Sequence, residues 1–131
     1  MHQRFVFRKL NFLIKSVISV MGVYNISLSK GENFDLTATL QNSTGGIMNL
    51  SGYSVRGYVR YSYGSSGILI DLAPSVLDSP SGVVAINLSP AQTAALPVTV
   101  ALYDVERYTS GNFIVNKILN GSFTINPEAT Y

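Results

Sequence analysis

Apolar and polar residues alternate along the chain from near Val23 onward, and this pattern limits the folds that the chain can adopt. In the segment NFDLTATLQ, Phe34, Leu36, Ala38 and Leu40 fall on one face and polar side chains fall on the other. A period of two is typical of a β-strand with one face in the core and one in water. Clusters of Gly, Asn and Ser separate such runs, which predict strands near residues 23–29, 33–41, 53–62, 67–72, 82–88, 98–107, 112–119 and 121–126.

These strands have to bury their apolar faces against one another, because no second long amphipathic helix and no Pro/Ser-rich linker interrupts them. Two layers of antiparallel strands meet that requirement. The predicted fold class is all-β, an immunoglobulin-like antiparallel β-sandwich over residues 21–131, with an up-and-down barrel as the alternative. The turn clusters NSTGG and YTSGN predict hairpins between their flanking strands. The predicted core consists of Phe34, Leu36, Val55, Val59, Val84, Ile86, Leu88, Tyr103 and Phe123.

One segment, SPAQTAALP, departs from the alternation and predicts a single short capped helical turn. Ser89 is placed to cap the amide of Gln92, and the Gln92 side chain is placed to reach back. Pro90 suits the first helical position and Pro97 ends the turn. The turn is expected to carry the chain from one sheet to the other, after which Tyr103 is expected to hydrogen-bond nearby backbone, as in a tyrosine corner.

Residues 1–20 form a separate N-terminal arm that is both basic and apolar. The arm carries four of the nine Lys and Arg residues and no acid, whereas the rest of the chain has five bases and seven acids. The spacing i, i+3, i+4, i+7, i+8 predicts an amphipathic helix whose apolar stripe is Leu10, Leu13, Ile14, Val17 and Ile18. Such a stripe favours an assembly arm that is ordered only against a neighbouring subunit or another protein, so a chain without residues 1–20 is expected to melt normally.

Other interpretations of the arm stay open at this point. It could be an export signal, a leader produced by translation starting before Met21, or a segment folded back on its own domain. The uncharged run from Ser16 to Ser29 is too short and too polar to cross a membrane, which needs about 20 apolar residues. Four positive charges offer few phosphate contacts, so nucleic acid is not an expected partner.

Side chains suited to catalysis or metal binding are scarce. The chain has no cysteine and His2 is its only histidine, so one copy cannot assemble a Ser-His-Asp, Cys-His or multi-histidine site. Asp104 and Glu106 share a strand face and could form an acid pair or bind calcium, but a solvated strand face is the simpler interpretation. The Gly-rich segments are not followed by the lysine and helix of a phosphate loop. We predict no enzymatic activity, no cofactor and no bound metal.

Arg56, Tyr58 and Arg60 are the most informative group on the predicted surface. In YSVRGYVRYS they share one strand face, and Val55 and Val59 lie on the other. Arginine and tyrosine are enriched where proteins contact proteins. The three residues are therefore candidates for an interface, although an ordinary outer sheet face would have the same pattern.

Five segments of the body follow one another in a recognisable order: LSKGENFDLTATLQN, MNLSGYSVRGYVRYS, SPSGVVAINLSPAQTAAL, ALYDVE and GNFIVNKILNGSFTINPEAT. In this order, over residues 23–130, the chain resembles the small immunoglobulin-like domains of tailed-bacteriophage virion proteins. The resemblance implies a non-enzymatic component of a capsid surface, neck, tail, baseplate or fibre that acts through its surfaces and its copy number.

We therefore expect a structural phage protein, located in the virion, such as a tail, neck or baseplate accessory or a capsid decoration. Its expected partners are other virion proteins and copies of itself, contacted through the arm and the sheet surfaces. The alternative is an exported adhesin or carbohydrate-binding module, with the arm as a signal and Tyr58 and neighbouring tyrosines stacking on surface glycans. A small hydrolase acting through Asp104 and Glu106 is a third, more distant hypothesis.

Overall fold

The chain forms two β-sheets, each with an apolar face turned toward the other. A computed structural model describes residues 16–20 and 22–128. Its elements are β1 (Ser16–Val20), β2 (Ile26–Ser29), β3 (Phe34–Leu40), β4 (Ser54–Arg60), β5 (Ile70–Asp71), β6 (Ser75–Asp78), β7 (Val83–Leu88), α1 (Pro90–Ala94), β8 (Thr99–Tyr108) and β9 (Val115–Asn126). None of the helical segments in this part of the chain has the length and apolar character needed to cross a membrane.

The strand order confirms the predicted all-β sandwich with one short helical turn. One sheet has the order β1-β3-β7-β6 and the other the order β2-β9-β8-β4-β5. This arrangement corresponds to the A-B-E-D and G-F-C sheets of an immunoglobulin-type sandwich, extended by β2 and β5. Most strand pairs are antiparallel, as predicted, but β1 pairs with β3 and β2 pairs with β9 in parallel.

Several boundaries differ from the sequence prediction. Residues 112–119 and 121–126 do not form two strands, since the single strand β9 runs from Val115 to Asn126. The NSTGG cluster does not close a hairpin, because β3 and β4 lie in different sheets and only Gln41 and Ile47 pair across the loop. The YTSGN cluster does connect the antiparallel strands β8 and β9. The short edge strand β6 was not predicted.

The helix prediction for the arm is wrong at its C-terminal end. Ser16 to Val20 form the strand β1, which pairs with β3 from Ser16–Leu36 to Val20–Leu40. The β-branched residues Val17, Ile18 and Val20 favour a strand. The edge of β3 supplies the backbone hydrogen-bond partners that this strand requires. Ile18 is partly buried and packs against the core. Leu10, Leu13 and Ile14 lie outside the described residues.

The predicted core is confirmed for most of its members. Buried residues among those predicted are Leu36, Val59, Val84, Ile86, Leu88, Tyr103 and Phe123. Phe34 and Val55 are only partly buried, although both pack against the core. Phe34 is the first residue of β3 and Val55 is the second residue of β4, so both lie where the sheets end and water reaches the edge of the core.

The helical turn α1 carries the chain from β7 in one sheet to β8 in the other, as predicted. The Ser89 hydroxyl accepts from the Gln92 amide at 3.1 Å, and the Gln92 side chain accepts from the Ser89 amide at 2.8 Å. Thr93 is buried and donates its hydroxyl proton to the Glu32 carbonyl at 2.7 Å, while it accepts from the Gly31 amide at 3.0 Å. The crossover is thus fastened to the turn between β2 and β3.

Tyr103 makes a long-range hydrogen bond from the core. Its ring is 1% exposed, and its hydroxyl donates to the Tyr24 carbonyl at 2.6 Å. The predicted tyrosine corner is therefore wrong about the acceptor, which lies 79 residues earlier in the chain. Tyr103 is opposite Gly121 in the β8–β9 pair, and a Cβ at Gly121 would collide with the Tyr24 carbonyl. Burial, followed by the neighbouring Tyr24 and Tyr63, raises the pKa of Tyr103 far above its usual range.

Replacing Tyr103 by Phe removes this hydrogen bond and leaves the Tyr24 carbonyl without its buried donor. We expect Tyr103→Phe to lower the free energy of unfolding by about 1–3 kcal/mol at neutral pH, measured by urea denaturation. The unfolded state ionises Tyr103 above about pH 10 whereas the folded state does not, so the wild type alone loses this stability as pH rises. The difference between the two proteins should shrink above that pH. Equal stability at neutral pH would contradict the assigned hydrogen bond.

Deleting the arm tests the role of β1. A chain without residues 1–20 lacks β1 and exposes the β3 edge and the apolar surface that Ile18 covers. Contrary to the expectation of normal melting, we expect its Tm to lie at least about 3 °C below that of a chain that begins at Ser16 and keeps β1. Equal melting of the two truncated chains would show that β1 contributes nothing to stability.

Candidate interaction surfaces

The predicted surface group lies on the outer face of the five-stranded sheet. Because side chains alternate along β4, Val59 points into the core while Arg56, Tyr58 and Arg60 are partly buried on the other side. In the β4–β8 register these three residues are opposite Glu106, Asp104 and Leu102, respectively. The sequence thus correctly predicted that Arg56, Tyr58 and Arg60 share one face of β4. It did not indicate which residues of β8 lie next to them.

Arg56 is held at this surface from three directions. Its Nε donates to Glu106 Oε1 at 3.0 Å, and its Nη1 donates to Asn112 Oδ1 at 3.3 Å. The guanidinium carbon lies 4.3 Å from the centre of the Tyr108 ring. The side chains of Arg56 and Glu106 are each 32% exposed, so the ion pair is partly shielded from water. Arg56 is therefore a fixed and not a freely moving cation.

Two further cations on the same face lie against tyrosine rings. The guanidinium carbon of Arg60 is 5.3 Å from the centre of the Tyr58 ring. Lys117 Nζ is 4.7 Å from the centre of the Tyr63 ring and 3.6 Å from Asp104 Oδ2. Cations stacked on aromatic rings are attracted to the negative ring face. We call this group the tyrosine–cation face, and its members are Arg56, Tyr58, Arg60, Tyr63, Asp104, Glu106, Tyr108 and Lys117.

The candidate acid pair is part of this face. Asp104 and Glu106 lie on the same side of β8, as predicted, but Asp104 pairs with Lys117 and Glu106 pairs with Arg56. Each carboxylate therefore has its own cation within the sheet. Among the described residues, no group of three or more His, Cys, Asp or Glu side chains is placed to hold a metal ion.

The predicted apolar stripe of the arm is only partly described by the structure. Val17 and Ile18 lie on β1, and Ile18 contacts the core of its own domain. Both positions are in a strand, so the helical spacing that defined the stripe does not apply to them. The other three members of the stripe, Leu10, Leu13 and Ile14, lie outside the described residues.

The sequence did not single out the β8–β9 hairpin tip as a surface. Phe113 is 90% exposed, and Ile114 and Val115 beside it are also exposed. The alternation placed these residues in a strand starting near residue 112, where apolar side chains are expected to be covered. The sequence does contain a pattern that indicates exposed apolar residues at a hairpin tip, because the apolar run FIV directly follows the turn residues TSGN.

A second feature near this tip was also missed. The guanidinium carbon of Arg107 lies 4.3 Å from the centre of the Tyr53 ring, and Arg107 Nε donates to Asn116 Oδ1 at 3.1 Å. Tyr53 and Arg107 are 54 positions apart in the sequence and meet only because β4 and β8 are neighbours. No local sequence pattern could have paired them.

The chain has structural but not sequence similarity to known proteins. No protein-family model matches the sequence, and no curated protein matches it. Among solved structures, the chain is similar to the N-terminal domain of phage TP901-1 ORF48, with a TM-score of 0.60 and 10% identity. That match covers 85% of this chain and 98% of the phage domain.

A second solved structure, the cysteine protease inhibitor EhICP2 from Entamoeba histolytica, matches with a TM-score of 0.42 and 11% identity over 84% of this chain and 97% of the inhibitor. That similarity is too low to carry an inference. The chain shares its overall fold with a domain of a phage protein.

Proposed function

We propose that this protein is a non-enzymatic structural component of a phage virion, where it binds other virion proteins and copies of itself. The observation that carries the proposal is the shared fold with the phage TP901-1 ORF48 domain, which extends over nearly all of that domain. The order of strand motifs in the sequence points to the same class of protein. A tail, neck or baseplate accessory and a capsid decoration both fit this proposal.

The tyrosine–cation face is the proposed contact surface. Tyrosine and arginine supply large contact area, and arginine presents several donors in a fixed plane. Here Arg56 and Arg60 are already oriented by ring stacking, and Arg56 also by its ion pair. Binding to side chains that are already ordered loses less conformational entropy than binding to free ones. The face is therefore well suited to docking a partner with complementary charges.

The same contacts favour binding over the alternative functions. A hydrolytic acid pair needs a carboxyl group free to exchange a proton with a substrate, whereas Asp104 and Glu106 each contact a cation. A sugar platform needs free aromatic ring faces, whereas Tyr58 and Tyr63 each have one face next to a cation. We therefore favour a protein partner for this surface over a substrate or a glycan.

The test is the protein content of purified virions from the phage whose genome encodes this chain. We expect quantitative mass spectrometry to find the wild-type protein at a fixed copy number per particle. A Tyr58→Ser/Arg60→Ser variant should be incorporated at least about tenfold less, because both side chains of one stacked pair are removed. Leu77→Ser is the matched control, since Leu77 is 58% exposed on β6 in the other sheet.

Each outcome of this experiment addresses one part of the proposal. If purified virions contain no wild-type protein, the proposed function is wrong. If the wild type is present and the Tyr58→Ser/Arg60→Ser variant is incorporated equally well, the tyrosine–cation face is not the docking surface. Melting curves of both variants establish that any loss of incorporation does not come from unfolding.

A further inference from the structure

The tip of the β8–β9 hairpin, Thr109 to Val115, exposes more apolar surface than a simple turn requires. Phe113 is 90% exposed, Ile114 is 46% exposed and Val115 is 40% exposed. Phe113 has the highest exposure among the large hydrophobic residues of the described chain. Three consecutive exposed apolar side chains at the end of a hairpin are unfavourable in water, and contiguous apolar surface is a feature of protein interaction sites.

The hairpin tip is a closed and ordered turn. The Thr109 amide donates to the Ile114 carbonyl at 3.0 Å, and the Ile114 amide donates to the Thr109 hydroxyl at 2.9 Å. The Asn112 amide donates to the Thr109 carbonyl at 2.9 Å. Gly111 and Asn112 adopt positive φ angles of 74° and 57°, which complete the reversal just before Phe113. The aromatic ring is thus presented by a backbone that binding does not have to order.

The cation at the base of the tip is Arg107. Arg107 on β8 is opposite Asn116 on β9, and Asn116 is three positions after Phe113 in the sequence. Its guanidinium stacks on Tyr53, and its Nε donates to the Asn116 side chain. Within the described residues no carboxylate oxygen lies within 4.0 Å of it, unlike Arg56 and Lys117. A stacked guanidinium leaves its remaining N–H donors at the edge of the plane, where they suit a carboxylate.

We propose that this tip docks by inserting Phe113 into an apolar pocket of a different virion protein, with a carboxylate at the pocket rim that pairs with Arg107. The proposal rests on the proposed virion function and adds the surface and the chemistry of the partner. A protruding ring needs a concave complement. Leu77 on β6 and Val100 on β8 are also exposed, but they lie within strands, whereas Phe113 lies at the end of a hairpin.

The composition of the tip favours a protein over a lipid surface. Only three apolar side chains are available at the tip, and Arg107 is the only Lys or Arg among residues 107–116. Binding to an anionic membrane depends on several cations together with a larger apolar face. A pocket that encloses one aromatic ring requires neither.

The experiment compares Phe113→Ser with Val98→Ser in purified virions. Val98 is 57% exposed and lies just before β8, at the opposite end of the strand from the hairpin tip. We expect Phe113→Ser to reduce the copy number per particle by about tenfold or more, as loss of a single aromatic anchor does, and Val98→Ser to leave it unchanged. Both side chains are exposed, so both variants should melt like the wild type.

The outcomes separate this inference from the proposed function. If the wild type is absent from virions, the proposed function fails. If the wild type is present and Phe113→Ser is incorporated equally well, the function stands and the docking tip is refuted. A copy number that falls equally in Phe113→Ser and Val98→Ser also overturns the proposal, because the effect is then not specific to the tip.

Further measurements test the identity of the partner. A photo-crosslinking amino acid at position 113 should attach to one other virion protein, and Arg107→Glu should weaken incorporation until an acidic residue near the crosslink is changed to Lys. If no such exchange restores incorporation, the carboxylate rim is refuted. Phe113-dependent dimerisation of the purified protein in analytical ultracentrifugation would make a second copy the partner. Phe113-dependent binding to phosphatidylcholine/phosphatidylglycerol vesicles would make it a membrane, and either result overturns the proposal.

Discussion

The hydrogen bond from the Tyr103 hydroxyl to the Tyr24 carbonyl connects the core of the sandwich to one edge of the five-stranded sheet. It joins β8, in the middle of the five-stranded sheet, to the backbone just before the edge strand β2. The close approach of these two segments is possible only because Gly121 has no side chain where the Tyr24 carbonyl lies. The Tyr103 ring packs edge-to-face with the Phe123 ring, with centroids 6.2 Å apart. The Tyr103 hydroxyl, Gly121 and the Tyr24 carbonyl thus position the chain just before β2, which then pairs with β9.

The outer face of the five-stranded sheet carries charged side chains, while its inner face forms part of the core. Along β8 the inward residues are Ala101, Tyr103 and Val105, and the residues between them, Leu102 and Asp104, face outward. Because β4, β8 and β9 are held in register by the core, cations and tyrosines from three strands and one loop reach each other on the outer face. The resulting ring stacking and ion pairs order side chains that would otherwise be free in water. This order is what makes the face suitable for contacting another protein.

Much of the fold could be predicted from local pattern, and the errors have identifiable causes. Alternation identified the inward faces of β3 and β4, and the Ser89–Gln92 capping box identified the only α-helical turn in the described chain. The arm was predicted as a helix because Leu10, Leu13, Ile14, Val17 and Ile18 have helical spacing. Ser16 to Val20 form β1 instead because they pair with the edge of β3, and no local pattern indicates that pairing. The candidate surface was predicted as three residues of β4, since nothing local indicates that Glu106, Tyr108 or Lys117 lies beside them.

The strand periodicity, the capped turn, the scarcity of catalytic side chains and the apolar faces of β3 and β4 follow from the amino-acid sequence. These properties depend on residues a few positions apart, so they can be read from the chain directly. Three other features emerge only from the folded chain: Tyr103 bonds to a carbonyl 79 residues away, β1 runs parallel to β3, and Phe113 is exposed to water. Each of these depends on which distant strands become neighbours. That choice is made by packing the two apolar faces together, and no local pattern specifies it.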